Sequence, residues 1–323
     1  MIFLRAFPFS LSILWRFAIA LPALIISLIA FAFFAVILFF VAGLISPFIA
    51  ILIMVAFGVG ASVVPVMVGL RVGLQAHHIK PRNTYLGMMK PAIGYGFFEA
   101  VAMLVLLALC AGLFVLLTGL SPRDLMAMNV ADEDALMAQL LEISPPLTFG
   151  IIGFVALAGF ALRSALLVPF AGASVGADPS GRPHTPFYGF GSGFGAVFAL
   201  VLLSQLGIAA AIPLAIYIVT VLGIAPAALL DLQMISTFDE LSDFASIGTD
   251  AYVLIGISVL LFLYFFSLQC AGAVLVYIRK RTEVGYRQQA FDDAMRKEEE
   301  RARPMQDTDL RELVRSRMPE KKY

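Results

Sequence analysis

Between Arg16 and Arg71 the chain carries no Asp, Glu, Lys or Arg. As one helix that stretch would run ~80 Å, whereas a hydrocarbon core is only ~30 Å thick and takes ~20 residues to cross. The pattern therefore predicts two membrane crossings with a turn between them. Gly43-Leu44-Ile45-Ser46-Pro47 supplies the helix-breaking residues for that turn. Further apolar runs follow, and the whole chain reads as six transmembrane helices. They cover Ala18–Phe40, Phe48–Leu70, Ala92–Leu117, Thr148–Phe170, Phe194–Leu222 and Tyr252–Val276. The fold class expected is an all-α, polytopic membrane helix bundle.

Polar positions between these runs set the threading. Arg5, Arg16, Arg71, Lys80, Arg82, Lys90, Arg182 and everything from Arg279 onward fall on one side. The other side holds Arg123 as its single basic residue, beside Asp124, Asp132, Glu133, Asp134 and Glu142 in one loop. Asp231, Asp239, Glu240, Asp243 and Asp250 fill its second loop. Lys and Arg stay cytoplasmic, so both termini are expected in the cytoplasm. A seventh crossing broken at Pro213 would place acidic Asp231–Asp250 inside and the basic tail outside, against that rule. Pro213 is instead expected to kink the fifth span, which neighbouring helices can accommodate.

The composition agrees: 61% hydrophobic and 14% charged residues, with a mean hydropathy of +0.94. A soluble domain is ~45–50% apolar and ~25% charged. The net charge of zero sums two unlike faces and excludes little. Only two Asn and no Asn-x-Ser/Thr occur, which points to a bacterial inner membrane. The first apolar run is too long for a signal-peptide core and reads as a retained span.

Two organisational features stand out. Phe98-Glu99-Ala100-Val101 and Leu104-Val105-Leu106-Leu107 echo Phe194-Gly195-Ala196-Val197 and Leu200-Val201-Leu202-Leu203. The second and third spans then look like one hairpin and the fourth and fifth like its same-direction copy. That differs from the inverted repeats of many transporters. The second feature is a change of material at Arg279, dividing a transmembrane domain (1–278) from a charged cytoplasmic tail (279–323). Asp292–Arg296 and Asp293–Lys297 are helix-supporting i,i+4 pairs. A helix is expected to about Ala302, stopping before Pro304. A second helix capped at Asp309, with Glu312 three residues on, would follow. Apolar stripes in the outer loops, Leu125 to Leu141 and Leu229 to Phe244, predict short helices lying on the outer face.

Ionisable groups inside a membrane are costly and are read first as functional. Arg163, Glu99 and Gln269 each fall about seven residues, or ~10 Å, from the cytoplasmic ends of their spans. They are expected to form one polar layer, with a Glu99–Arg163 pair geometrically feasible. Ser204, Gln205 and Ser267 read as interhelical hydrogen-bonding groups. Gly172/Gly176, Gly189/Gly193 and Gly191/Gly195 have the small-xxx-small spacing of close helix packing. Lys80, Arg82, Lys90 and Arg182 would face anionic lipid headgroups.

Catalytic signatures are missing. The chain has no metalloprotease, Walker or nucleophile-elbow motif. Cys110 and Cys270 sit in apolar runs with no metal or redox spacing, and His77, His78 and His184 have no thiol or carboxylate pattern beside them. Neither a metal, a cofactor nor a nucleic-acid partner is expected. The reading that results is a scaffold, assembly or regulatory factor in the bilayer, engaging a protein partner through its tail and loops. A transport component with Glu99, Arg163 and Gln269 lining a cavity is the alternative.

Overall fold

The computed structural model describes residues 2–119, 133–224 and 248–317. Eight α-helices and one 3-10 turn account for the described elements, and no strand occurs among them. In chain order the helices are α1 (Ile2–Ile45), α2 (Pro47–Ala76), α3 (Met89–Thr118) and α4 (Glu133–Ile143). They continue as α5 (Pro145–Val175), α6 (Phe194–Ala209), α7 (Ala211–Leu222) and α8 (Thr249–Arg317). Among the described residues four helical segments are long and apolar enough to cross a membrane: Ile2–Pro22, Leu86–Thr118, Pro145–Val175 and Thr249–Glu298. The bent pair α6–α7 makes a fifth when taken as one span. The chain is thus an all-helical protein with four to five candidate spans among the described residues, fewer than the six expected.

Several boundaries follow from local chemistry. Ser46 separates α1 from α2 in extended conformation, with Pro47 opening the next helix. Ser144 and Pro145 repeat the device at the start of α5. Proline suits a first helical position because its missing N–H would find no intrahelical acceptor there. The α6–α7 pair bends by 57° at Ala210. Pro213 explains the position: its ring crowds the carbonyl four residues back, Ala209, and offers it no N–H.

Three expectations on helix extent are corrected. The first helix begins at Ile2, well before Ala18. Ala6, Ser10, Ile13, Phe17 and Leu24 are buried at helical spacing, a stripe that packs on α2 and α8 and carries the helix back to the terminus. The tail helix does not stop before Pro304. It is part of α8, which runs unbroken through Pro304 to Arg317 and gives up only the bond that proline cannot donate. Asp309 is consequently in mid-helix and starts no second one. Within that arm Arg296 meets Asp293 at 3.6 Å rather than Asp292. The change of composition at Arg279 coincides with no break in the helix. α4 falls in the first stretch where a short helix is expected, while Leu125, Met126 and the stretch Leu229–Phe244 lie outside the described residues.

The core is concentrated at one end of the bundle. Val63–Leu74 of α2, Ala165–Val175 of α5 and Phe266–Val274 of α8 are buried almost without interruption. A helix apolar on every side belongs in an interior, and α1, α3 and α6 surround these three. Close approach comes from glycines. A Cβ on Gly69 would lie 2.8 Å from Cys270 Sγ, and one on Gly73 would lie 2.8 Å from Val274 Cγ2. Gly207 lies against the Phe265 ring, and Gly272 against Leu200. Of the glycine pairs singled out in the sequence, Gly189 and Gly193 are packed, against Val168 and Val276. Gly191 and Gly195 have open space around them.

α2 and α5 share a Ser-Pro start. The returning helices differ: α3 is continuous over 30 residues, whereas α6–α7 is broken.

Candidate functional site

Arg163 and Glu99 meet. Arg163 Nη1 donates to Glu99 Oε2 at 2.6 Å, and Nη2 donates to the Ser62 carbonyl at 3.2 Å. The side chains are 19% and 11% exposed. The guanidinium also lies 5.6 Å from the Phe170 ring centroid. Arg163 is 12 residues from the end of α5 at Val175, or ~18 Å along the helix. Glu99 is ten residues from the start of α3 at Met89. Antiparallel packing of α3 on α5 brings them level. Each charge satisfies the other, which an isolated charge at this depth would lack.

This pair closes one end of a cleft of about 620 Å³ between α3 and α5. Met103, Leu107, Ile151, Ile152, Val155 and Gly159 form its apolar walls, and Ser62 of α2 and Gln205 of α6 also line it. The third member of the expected polar layer is elsewhere. Gln269 is 3% exposed, inside the packed stretch of α8, and does not line the cleft. Its Oε1 has no hydrogen-bond partner among the described residues. Counting residues along a span gives depth but not rotation about the helix axis, so it could not tell which face of α8 carries Gln269. Gln205 is the amide that reaches the cleft. Its neighbour Ser204 does hydrogen-bond between helices, to the Phe265 carbonyl at 2.5 Å.

A second polar assembly lies at the end where the α2–α3 and α5–α6 loops meet, and the sequence pattern does not foresee it. Asp178 is 2% exposed. Its carboxylate accepts from His184 Nδ1 at 3.1 Å and from the Thr185 N–H at 3.1 and 3.2 Å. His184 Nε2 lies 3.0 Å from Tyr95 Oη. Arg71, 5% exposed, donates to the Asn83 carbonyl at 2.8 Å, to Asn83 Oδ1 at 3.1 Å and to the Ser174 carbonyl at 3.3 Å. Asn83 Nδ2 in turn donates to the Ala173 carbonyl at 2.9 Å. Tyr277 of α8 donates to the Ala177 carbonyl at 2.8 Å. These bonds give side-chain donors to the Ser174 carbonyl in the last turn of α5 and to the Ala177 carbonyl just beyond it. Gly172 makes room for them: a Cβ there would lie 3.0 Å from His184 Nδ1.

Burial pushes the His184 imidazole below its ordinary range, with Asp178 acting in the opposite sense. His77 is lowered too, by burial and then by the charge of His78. His77 packs on Phe9 with ring centroids 4.8 Å apart. No group of three or more His, Cys, Asp or Glu able to hold a metal ion occurs among the described residues.

Lys80, Lys90 and Arg182 are exposed at this same loop end. Arg82 is exposed as well, but Nη2 donates to the Gly181 carbonyl at 2.8 Å, tying the two loops together. Lys280 donates to Ser192 Oγ at 2.5 Å and lies 5.3 Å from the Tyr188 ring centroid. Ile2, His77 and Arg279 line one groove, so the start of α1, the α2–α3 loop and the exit of α8 share this end.

Comparison with protein families, curated proteins and solved structures finds no match for this chain.

Proposed function

We propose that this chain is a six-span protein of a bacterial inner membrane, with both termini cytoplasmic, that works as a scaffold or assembly factor. The observation that carries this reading is α8. It is one 69-residue helix, buried within the bundle from Phe266 to Val274 and exposed at nearly every position from Arg279 to Glu298. A helix anchored in a packed core and bare beyond it is a rigid arm, suited to holding a partner at a fixed distance from the bilayer. The basic residues gathered at the arm's exit support the cytoplasmic assignment.

The test is removal of Thr282–Tyr323 from the full-length protein in the membrane. Loss of co-purifying proteins, with the bundle still extractable in the same detergent, supports the scaffold. An unchanged set of partners overturns it. Threading is checked separately with an Asp134→Cys variant lacking the native cysteines. Labelling is expected from outside only.

A transport component is the second reading, favoured by the charged pair at the end of the cleft. Glu99 and Arg163 would line its path, and Gln205 takes the place assigned to Gln269.

A further inference from the structure

We infer that the cleft between α3 and α5 binds a neutral amphiphile: one long hydrocarbon chain ending in an uncharged head that carries hydroxyl or carbonyl groups. The inference rests on the membrane-spanning reading and not on the scaffold.

The size fits. At about 620 Å³ the cleft lies within the ~300–1,000 Å³ range of small-molecule sites. Its walls fit a hydrocarbon chain: Met103, Leu107 and Ile152 offer no polar atom but the Met103 sulfur. Leu107 and Ile152 are 48% and 43% exposed, so the apolar length of the cleft is open for a chain to lie along.

The polar end selects the head. Glu99 and Arg163 already neutralise each other at 2.6 Å. A charged head placed there would bring an uncompensated charge into a low-dielectric site. A neutral head adds none. Gln205 lines the same cleft, and its side-chain amide makes no hydrogen bond among the described residues. It can donate from its NH2 and accept at its oxygen, which matches a hydroxyl or carbonyl and not an alkyl end. Arg163 keeps further N–H groups for the same head, since its five donors make two bonds here.

The experiment is photo-crosslinking of the full chain in phosphatidylethanolamine/phosphatidylglycerol vesicles. Three diazirine-tagged probes of equal chain length are compared: a monoacylglycerol, an alkyl sulfonate and an alkyl trimethylammonium. The monoacylglycerol is expected to label peptides containing Ala100–Leu107 or Ile151–Gly159 at least fivefold more than either charged probe, and saturably. Gly159→Leu fills the cleft, because a Cβ there already lies 3.4 Å from Met103 Cε. Ile152→Trp blocks it from an exposed position should Gly159→Leu fail to fold. Each is expected to cut labelling at least fivefold, as is Gln205→Leu, with elution and melting of the protein unchanged. Equal labelling by all three probes means bulk lipid contact and overturns the inference. So does labelling indifferent to both blocking variants, or a preference for the sulfonate. Full labelling of Gln205→Leu overturns the assignment of the head. Release of the protein from vesicles by alkaline carbonate would instead refute the membrane reading beneath it.

Discussion

Tyr95 Oη and His184 Nε2 lie 3.0 Å apart, and this contact ties α3 to the loop entering α6. The Asp178 carboxylate can only accept, so His184 Nδ1 carries the proton it donates and the neutral ring accepts from Tyr95 at Nε2. Burial holds His184 below its ordinary value of 6.5, so the folded state favours the neutral ring. That contribution is complete above pH 6.5. As pH falls below it the unfolded chain takes up its proton first, and the contribution drains away until the folded-state value is passed. His77 titrates in the same sense, so the readout is a difference. The melting temperature in detergent should fall between about pH 7.5 and pH 5.5, and fall less in His184→Gln.

Breaking the Glu99–Arg163 pair on one side leaves a charge stranded. Glu99→Gln or Arg163→Met alone should destabilise by about 3 kcal/mol, and the double variant by clearly less than the sum. Chemical denaturation of the four proteins in mixed micelles measures the coupling. Additive losses would show that the two side chains stabilise the bundle independently.

Glycines of one helix class separate by what faces them. Gly73→Val places atoms against Val274 and Ile13, both within 3 Å of where a Cβ would sit, and should cost about 1–3 kcal/mol. Gly112 has nothing within 4 Å. Gly112→Ala should therefore gain up to about 1 kcal/mol from helix propensity. Melting curves of the two variants should shift in opposite directions.

Pro213→Ala restores the donor that the Ala209 carbonyl lacks. The 57° bend should relax, and the distance between spin labels at Ala199 and Tyr217 should lengthen by about 3 Å at helical rise. An unchanged distance would assign the bend to packing of α7 against α8.

The parts legible in the sequence were those fixed by one-dimensional pattern. Apolar runs gave helices and candidate spans, Ser46-Pro47 the first turn, and matched depth the Glu99–Arg163 pair. What depended on direction around a helix was not legible, which is why Gln269 was expected at the cleft and Gln205 was not. Long-range polar contacts were equally hidden. Arg71 reads only as a charge at the end of a span and Asp178 carries no signal, because their partners are loop carbonyls and side chains with no motif. Asn83, just two residues beyond Pro81 in a loop, gave no sign of bonding to Ala173. The glycine crossing at Gly69 and Gly73 did have a signature, the same four-residue spacing sought elsewhere, and that signal was available. Pro304 does not stop α8, because a proline weakens a helix without obliging it to end.

Arg71 and the Ser174 carbonyl it binds are 103 residues apart. At ~5–20 residues per second, ribosomes deliver the second partner ~5–20 s after the first. For that interval the Arg71 guanidinium has only its near partners, Asn83 and the Tyr85 ring 4.4 Å away. The bundle end is therefore closed by a contact that cannot form until α5 has been made.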